Sequence, residues 1–169
     1  MATLPTQPVA AAWAGLQWQS GVYERTASIT KPLAVRAAPV VAGLYRMTWT
    51  GAADWSRLEK VLPVKASLKV PDRVLDFSDR TPPVLLTIGR TTNIHNRLRQ
   101  HFGTNRHSNR VLARFGLILP SLAQDDIREL ARTNLSVEWV SVACWAERCV
   151  LEQYGLAIGV PLFDIDAEH

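Results

Sequence analysis

Apolar residues alternate with polar ones along some stretches of the chain and recur every three or four positions along others. Ala42 to Thr50 mixes aromatic, β-branched and polar residues and stops at Gly51, which predicts a strand. Val84 to Ile88 is a short apolar run that predicts a second, buried strand ending at Gly89. Thr92 or Asn93 can cap a helix whose apolar residues Ile94, Leu98 and Phe102 step by four, with Gly103 as its stop. Asn109 to Leu119 predicts another helix, or a helix running into a strand, closed by Pro120. Asp125 to Arg132 has the pattern of an acidic helix, and Leu135 to Ala143 alternates as a strand. A last helix is expected from about Cys144 to Leu156, after which Pro161 to Asp164 turns back over the core.

Between the first two strands, Asp54 to Leu62 suits a short helix with Asp54 as N-cap and Pro63 as terminator. Lys65 to Pro83 is polar and interrupted by Pro71, Pro82 and Pro83, which predicts a loop or loose hairpin. Residues 1–40 are rich in Ala, Pro and Thr, and the apolar stretch Val9 to Trp18 predicts an arm or an N-terminal helix. The order strand, insertion, strand, helix, helix, strand, helix belongs to the α+β class. The expected organisation is therefore an arm or helix over 1–40 and one domain over 41–169, with an insertion at about 51–83.

Composition narrows the class of protein. The chain has 169 residues, 47% hydrophobic and 20% charged, and can bury roughly two thirds of its unfolded surface without disulfides or a structural metal. No apolar run approaches the roughly 20 residues that span a bilayer, and no basic residue precedes Arg25, so neither a membrane span nor a secretory n-region is expected. These features predict a cytoplasmic protein. Cys144 and Cys149, five apart, match neither a redox pair nor a zinc pair, and we expect buried free thiols. His95, His101 and His107 recur every six residues, which fits no metal-ligand spacing on a helix or turn.

The charge is unevenly spread. Met1 to Gln124 carries 16 basic against 6 acidic residues, net +10, whereas Asp125 to His169 carries 3 against 9, net −6. No acidic residue falls between Arg80 and Gln124, a stretch that holds Arg90, Arg97, Arg99, Arg106, Arg110 and Arg114. Arginine grips phosphate with a planar fork, where lysine offers a point charge. A polyanion is one partner this pattern suits, and a solvated basic face is the other reading.

Gly43-Leu44-Tyr45 on the first strand, Thr87-Ile88-Gly89 on the second, and Arg90, Asn93, Arg97 and His101 after it form a spaced set. Glu152, followed by Pro161 nine residues on and Asp164 twelve on, extends it. This set resembles the signature of the GIY-YIG nucleases, and most closely their restriction-endonuclease branch, over Gly43 to Asp164. The resemblance implies a small mixed or antiparallel sheet flanked by helices. Arg97 then corresponds to the family's helix arginine, ten residues beyond the second motif tyrosine, and Glu152 to its metal-binding carboxylate. Two departures accompany it: Thr87 stands where the family has the second tyrosine, and the interval between the tripeptides is longer than usual.

The resemblance implies a divalent-metal-dependent DNA endonuclease that hydrolyses phosphodiester bonds, in the manner of a type II restriction enzyme, acting as a homodimer or by sequential nicks. Tyr45, Arg97, His101 and Glu152 would be its catalytic residues, with Glu152 holding Mg²⁺ or Mn²⁺. Arg90, Asn93, Arg99, Arg106, Arg110 and Thr87 would bind DNA. Such a reaction needs an activated water, charge stabilisation on the transferring phosphorus, and help for the leaving oxygen. The alternative is a catalytically impaired relative that binds nucleic acid without cutting it, suggested by Thr87.

Overall fold

The computed structural model describes residues 6–26, 33–55, 80–103, 110–159 and 161–163. The fold is α+β, with a four-stranded antiparallel sheet and a two-stranded ribbon flanked by helices. In chain order the elements are α1 (Thr6–Ala14), β1 (Gln19–Val22), β2 (Glu24–Arg25), β3 (Leu33–Ala34), β4 (Gly43–Trp49), β5 (Val84–Thr91), α2 (Ile94–Phe102), α3 (Arg110–Ile118), α4 (Gln124–Asn134), β6 (Leu135–Ser141) and α5 (Trp145–Gly159). The main sheet runs β1-β6-β4-β5, and β2 pairs with β3 in the ribbon.

Alternation along β4 explains how the sheet is covered on both faces. Tyr45, Met47 and Trp49 point into the larger core, against Ile94, Leu98 and Phe102 of α2, Val111, Leu112 and Phe115 of α3, and Ile127 and Ala131 of α4. Leu44 points the other way, with Val140, Val142 and Leu151, under Trp13, Leu16 and Trp18. A bulge opposite Met47/Thr48 shifts the β4–β5 register.

Strand β5 runs past the predicted stop at Gly89 to Thr91. Gly89 sits opposite Tyr45 in the register, and a Cβ there would come within 2.8 Å of Tyr45 Cε1 and closer still to its hydroxyl. The glycine admits a ring and does not end the strand. The outer edge of β5 is closed by the tail, where Leu162 N donates to Leu85 O at 3.0 Å and Phe163 N to Leu86 O at 2.7 Å. That is the predicted return of the chain over the core as far as Phe163; Asp164 lies outside the described residues.

The described part of residues 1–40 is built into the sheet. Besides the predicted helix, now α1, it contributes the edge strand β1, which pairs with β6 from Gln19↔Trp139 to Val22↔Ser136. Trp139 Nε1 donates to Gln19 Oε1 at 3.1 Å. Helix α1 packs on α5, where a Cβ at Gly155 would strike the Trp13 ring.

The predicted helix over Asp54 to Leu62 and the loop over Lys65 to Pro83 lie almost wholly outside the described residues, which here include only Asp54, Trp55 and residues 80–83. Cys144 is exposed and Cys149 half-buried, so the expectation of two buried thiols is corrected; both are free. Cys144 precedes the first turn of α5, where it faces solvent. Among the described residues, no helix is long and apolar enough to cross a membrane.

Candidate active site

Helix α2 carries most of the predicted residues, and its start is set by local chemistry. Asn93 is the N-cap, in extended conformation, and its side-chain oxygen accepts from Asn96 N at 2.9 Å. Thr91 Oγ1 accepts from Asn93 N at 3.0 Å and donates to Asn93 O at 3.1 Å, so Thr91 braces the cap. Ile94 N and His95 N donate to Val41 O at 2.9 Å and Pro39 O at 3.0 Å. The amides of this first turn are therefore already bonded within the protein. An anion arriving there would meet the helix dipole and side chains, with no free N–H cradle.

At the far end Gly103 has φ −72°, which any residue could adopt, and capping comes from a distant side chain. Arg128, buried on α4, donates Nε to Phe102 O and Nη2 to Gly103 O, each at 3.3 Å, and Nη1 to Asp125 Oδ1 at 2.8 Å. In the middle of the helix, buried Tyr23 donates its hydroxyl to Leu98 O at 2.9 Å, and its ring meets Phe102 edge-on at 4.8 Å between centroids. Burial, and secondarily the charge an ionised Tyr45 would carry, pushes the Tyr23 phenol well above its ordinary value, which keeps it a donor.

So held, α2 presents Arg97 and His101, one turn apart, to a single atom. Arg97 Nε donates to Tyr45 Oη at 3.2 Å, and His101 Nε2 lies 3.0 Å from the same oxygen. Tyr45 is 2% exposed and His101 3%. A phenol that accepts from a guanidinium and shares a hydrogen bond with an imidazole can hand its proton to the imidazole or take one back.

Arg97 also lines an open cavity of about 380 Å³, together with Arg90, Thr91, Thr92, Asn93, Asn96 and Gln100. Arg97 Nη1 donates to Gln100 Oε1 at 3.4 Å. Two arginines, two asparagines and a glutamine at the positive end of a helix suit a phosphate oxygen.

Glu152 approaches from the opposite layer, on α5. Its Oε1 accepts from Arg90 N at 2.9 Å, and its Oε2 is bound by Arg90 Nη1. Arg148, one turn earlier on the same helix, is buried and donates Nη1 to Val142 O and Ala143 O, each at 2.7 Å. It ties α5 to the end of β6.

The predicted residues thus separate into groups. Tyr45, Arg97 and His101 meet directly, and Glu152 meets Arg90. The two groups are linked through the cavity that both arginines line with Asn93; neither Tyr45 nor Glu152 is among its lining residues. Thr87 pairs with Met47 and is 4% exposed, so it lies within the sheet's Tyr45 face and presents no surface to a substrate in this arrangement. Arg99 is exposed on the last turn of α2, apart from the cluster. Arg110 opens α3, only its backbone being described, and Arg106 lies outside the described residues.

Sequence reasoning passed over Asn96 and Gln100, although Asn93, Asn96, Arg97 and Gln100 step along one helix face and could have been found as a polar stripe. Tyr23 and Arg128 carried no such signal.

Among the described residues, no three His, Cys, Asp or Glu side chains cluster as metal ligands. A hard cation that retains most of its waters needs only one carboxylate oxygen. Glu152 can supply Oε2 for this if the Arg90 guanidinium moves, because the backbone N–H occupies Oε1 alone. No protein-family model matches the chain, and neither does any curated protein or solved structure.

Proposed function

We propose that the protein is a divalent-metal-dependent endonuclease of the GIY-YIG type that hydrolyses DNA phosphodiester bonds, in the manner of a type II restriction enzyme of the cytoplasm. The observation that carries this reading is the convergence of Arg97 and His101 on the Tyr45 hydroxyl, at 3.2 and 3.0 Å, beside an arginine-lined cavity.

In the proposed mechanism the cavity takes the scissile phosphate. Arg97 and Arg90 bind its nonbridging oxygens and stabilise the charge that grows in the transition state. Tyr45 seats Arg97 at the angle from which its remaining N–H groups reach the cavity. A neutral phenol is a weak base, so it needs a neighbour that can take its own proton. His101 receives the phenolic proton, so the pair acts as one acceptor for the proton of the attacking water. Bound at Glu152, Mg²⁺ or Mn²⁺ would supply Lewis-acid stabilisation of the phosphate and leaving oxygens. Asn93, Asn96 and Gln100 orient the strand beside the cavity. Cutting both strands needs two copies of the chain or two successive nicks.

Plasmid DNA incubated with Mg²⁺ tests the reading: nicked or linear product is expected from the wild type and should be lost in Arg97→Ala and Glu152→Gln. The buried Thr87 and the engagement of both Glu152 oxygens by Arg90 favour a second reading, a nuclease-derived module that binds nucleic acid without cutting it. Salt-dependent DNA binding with no cleavage of any DNA or RNA would select it.

A further inference from the structure

We propose that Arg90 is an internal counter-ion occupying the cation position of Glu152, and that a substrate phosphate draws it away. The inference rests on the nuclease reading and concerns how that site is loaded. One residue engages both oxygens of the carboxylate, through its backbone N–H at 2.9 Å and through its guanidinium. The backbone bond alone satisfies the outward amide of edge strand β5, so the guanidinium contact is not required to close the edge. Glu152 has 13% side-chain exposure against 38% for Arg90, which makes the arginine the partner freer to move.

Arg90 is also one of the residues that line the cavity, with Arg97, Asn96 and Gln100. It therefore stands between a carboxylate that it neutralises and a chamber suited to phosphate. A divalent cation that reaches Glu152 alone must displace the arginine from Oε2 and so binds weakly. A phosphate in the cavity offers the guanidinium a new bidentate partner and uncovers Oε2. Cation and phosphate then favour each other's binding, and the coupling is reciprocal.

The test is Mn²⁺ binding to the full chain without DNA, measured by titration calorimetry. Arg90→Ala should bind Mn²⁺ about threefold to fivefold more tightly than the wild type, in keeping with the modest strength of a part-exposed ion pair. Glu152→Gln should lose the binding. Arg90→Gln, neutral and still able to hydrogen-bond, should behave like Arg90→Ala and serves if that variant is unstable. A short DNA duplex should strengthen Ca²⁺ binding to the wild type, with a smaller gain in Arg90→Ala. Mn²⁺ affinity that is unchanged or weaker in both folded Arg90 variants overturns the proposal. If that result accompanies Mg²⁺-dependent cleavage lost in Glu152→Gln, the counter-ion role fails and the nuclease reading stands; if cleavage is absent as well, both fall.

Discussion

The Tyr45 hydroxyl is where the chemistry of single side chains is most concentrated. It sits on a strand, beneath a helix, against a glycine, with a guanidinium and an imidazole on its oxygen. Removing the guanidinium in Arg97→Ala should lower the cleavage rate about a hundredfold to a thousandfold, the usual loss of one preorganised charge-stabilising donor. The rate of supercoiled plasmid loss measures this, and a melting curve close to wild type should accompany it, because Arg97 is only half-buried. Gly89→Ala should cost about 1–3 kcal/mol in urea denaturation, since the added methyl has no room beside the ring. Much of that loss should return in the double variant Gly89→Ala/Tyr45→Ala relative to Tyr45→Ala, and additive losses would contradict the contact. At this scale the sequence was informative where spacing is local: Arg97 and His101 are one turn apart on a capped helix. It named Arg90 and Glu152 but was silent on their contact, since they are 62 positions apart and meet only because α5 crosses to the outer edge of β5.

Helix α2 is fixed by partners from three other parts of the chain. Val41 and Pro39 hold its first amides, Tyr23 holds its middle carbonyl, and Arg128 holds its last two. A helix of nine residues is marginal on its own, so these contacts set its rotation and hence the aim of Arg97 and His101. Arg128→Met keeps most of the side-chain volume but leaves the Phe102 and Gly103 carbonyls without their donor. It should destabilise the protein by about 1–3 kcal/mol in thermal or urea unfolding and speed amide exchange in the last turn of α2. Equal exchange in wild type and variant would refute the capping role. The helix itself was legible, because Ile94, Leu98 and Phe102 mark one face and Asn93 marks the start. Its supports were not, because side-chain to backbone bonds between distant segments leave no periodicity in the sequence. Strand β1 was illegible for a related reason: Gln-Ser-Gly-Val, largely exposed, has no apolar alternation and owes its conformation to pairing with β6.

At the scale of the molecule, charge and sheet order bear on function together. Arg90, Arg97 and Arg99 lie on or just before one nine-residue helix in a stretch without acidic residues. On the proposed nuclease reading each of these arginines meets a phosphate, and removing one should flatten the dependence of log K on log salt by about one, which Arg99→Ala tests with a labelled duplex. The acidic end of the chain contributes a pH-sensitive tie, in which Arg25 of β2 donates Nε to Glu129 Oε1 of α4 at 2.6 Å. Chiefly through that bond, and with help from Arg132, the Glu129 carboxyl lies below its ordinary value of 4.5 in the folded protein. The unfolded chain binds this proton more readily, so the stabilisation is complete above about pH 4.5 and declines as pH falls through the lowered value. Denaturant midpoints measured down that range should fall less steeply in Glu129→Gln. The edge strand contributed by residues 19–22 has a practical outcome for anyone trimming the chain. A fragment starting at residue 41 would bare the flank of β6, strip the Trp139 indole of its acceptor and take the Tyr23 phenol from beneath α2. Limited proteolysis should accordingly yield no durable core that begins there, and the smallest workable unit starts upstream of Gln19.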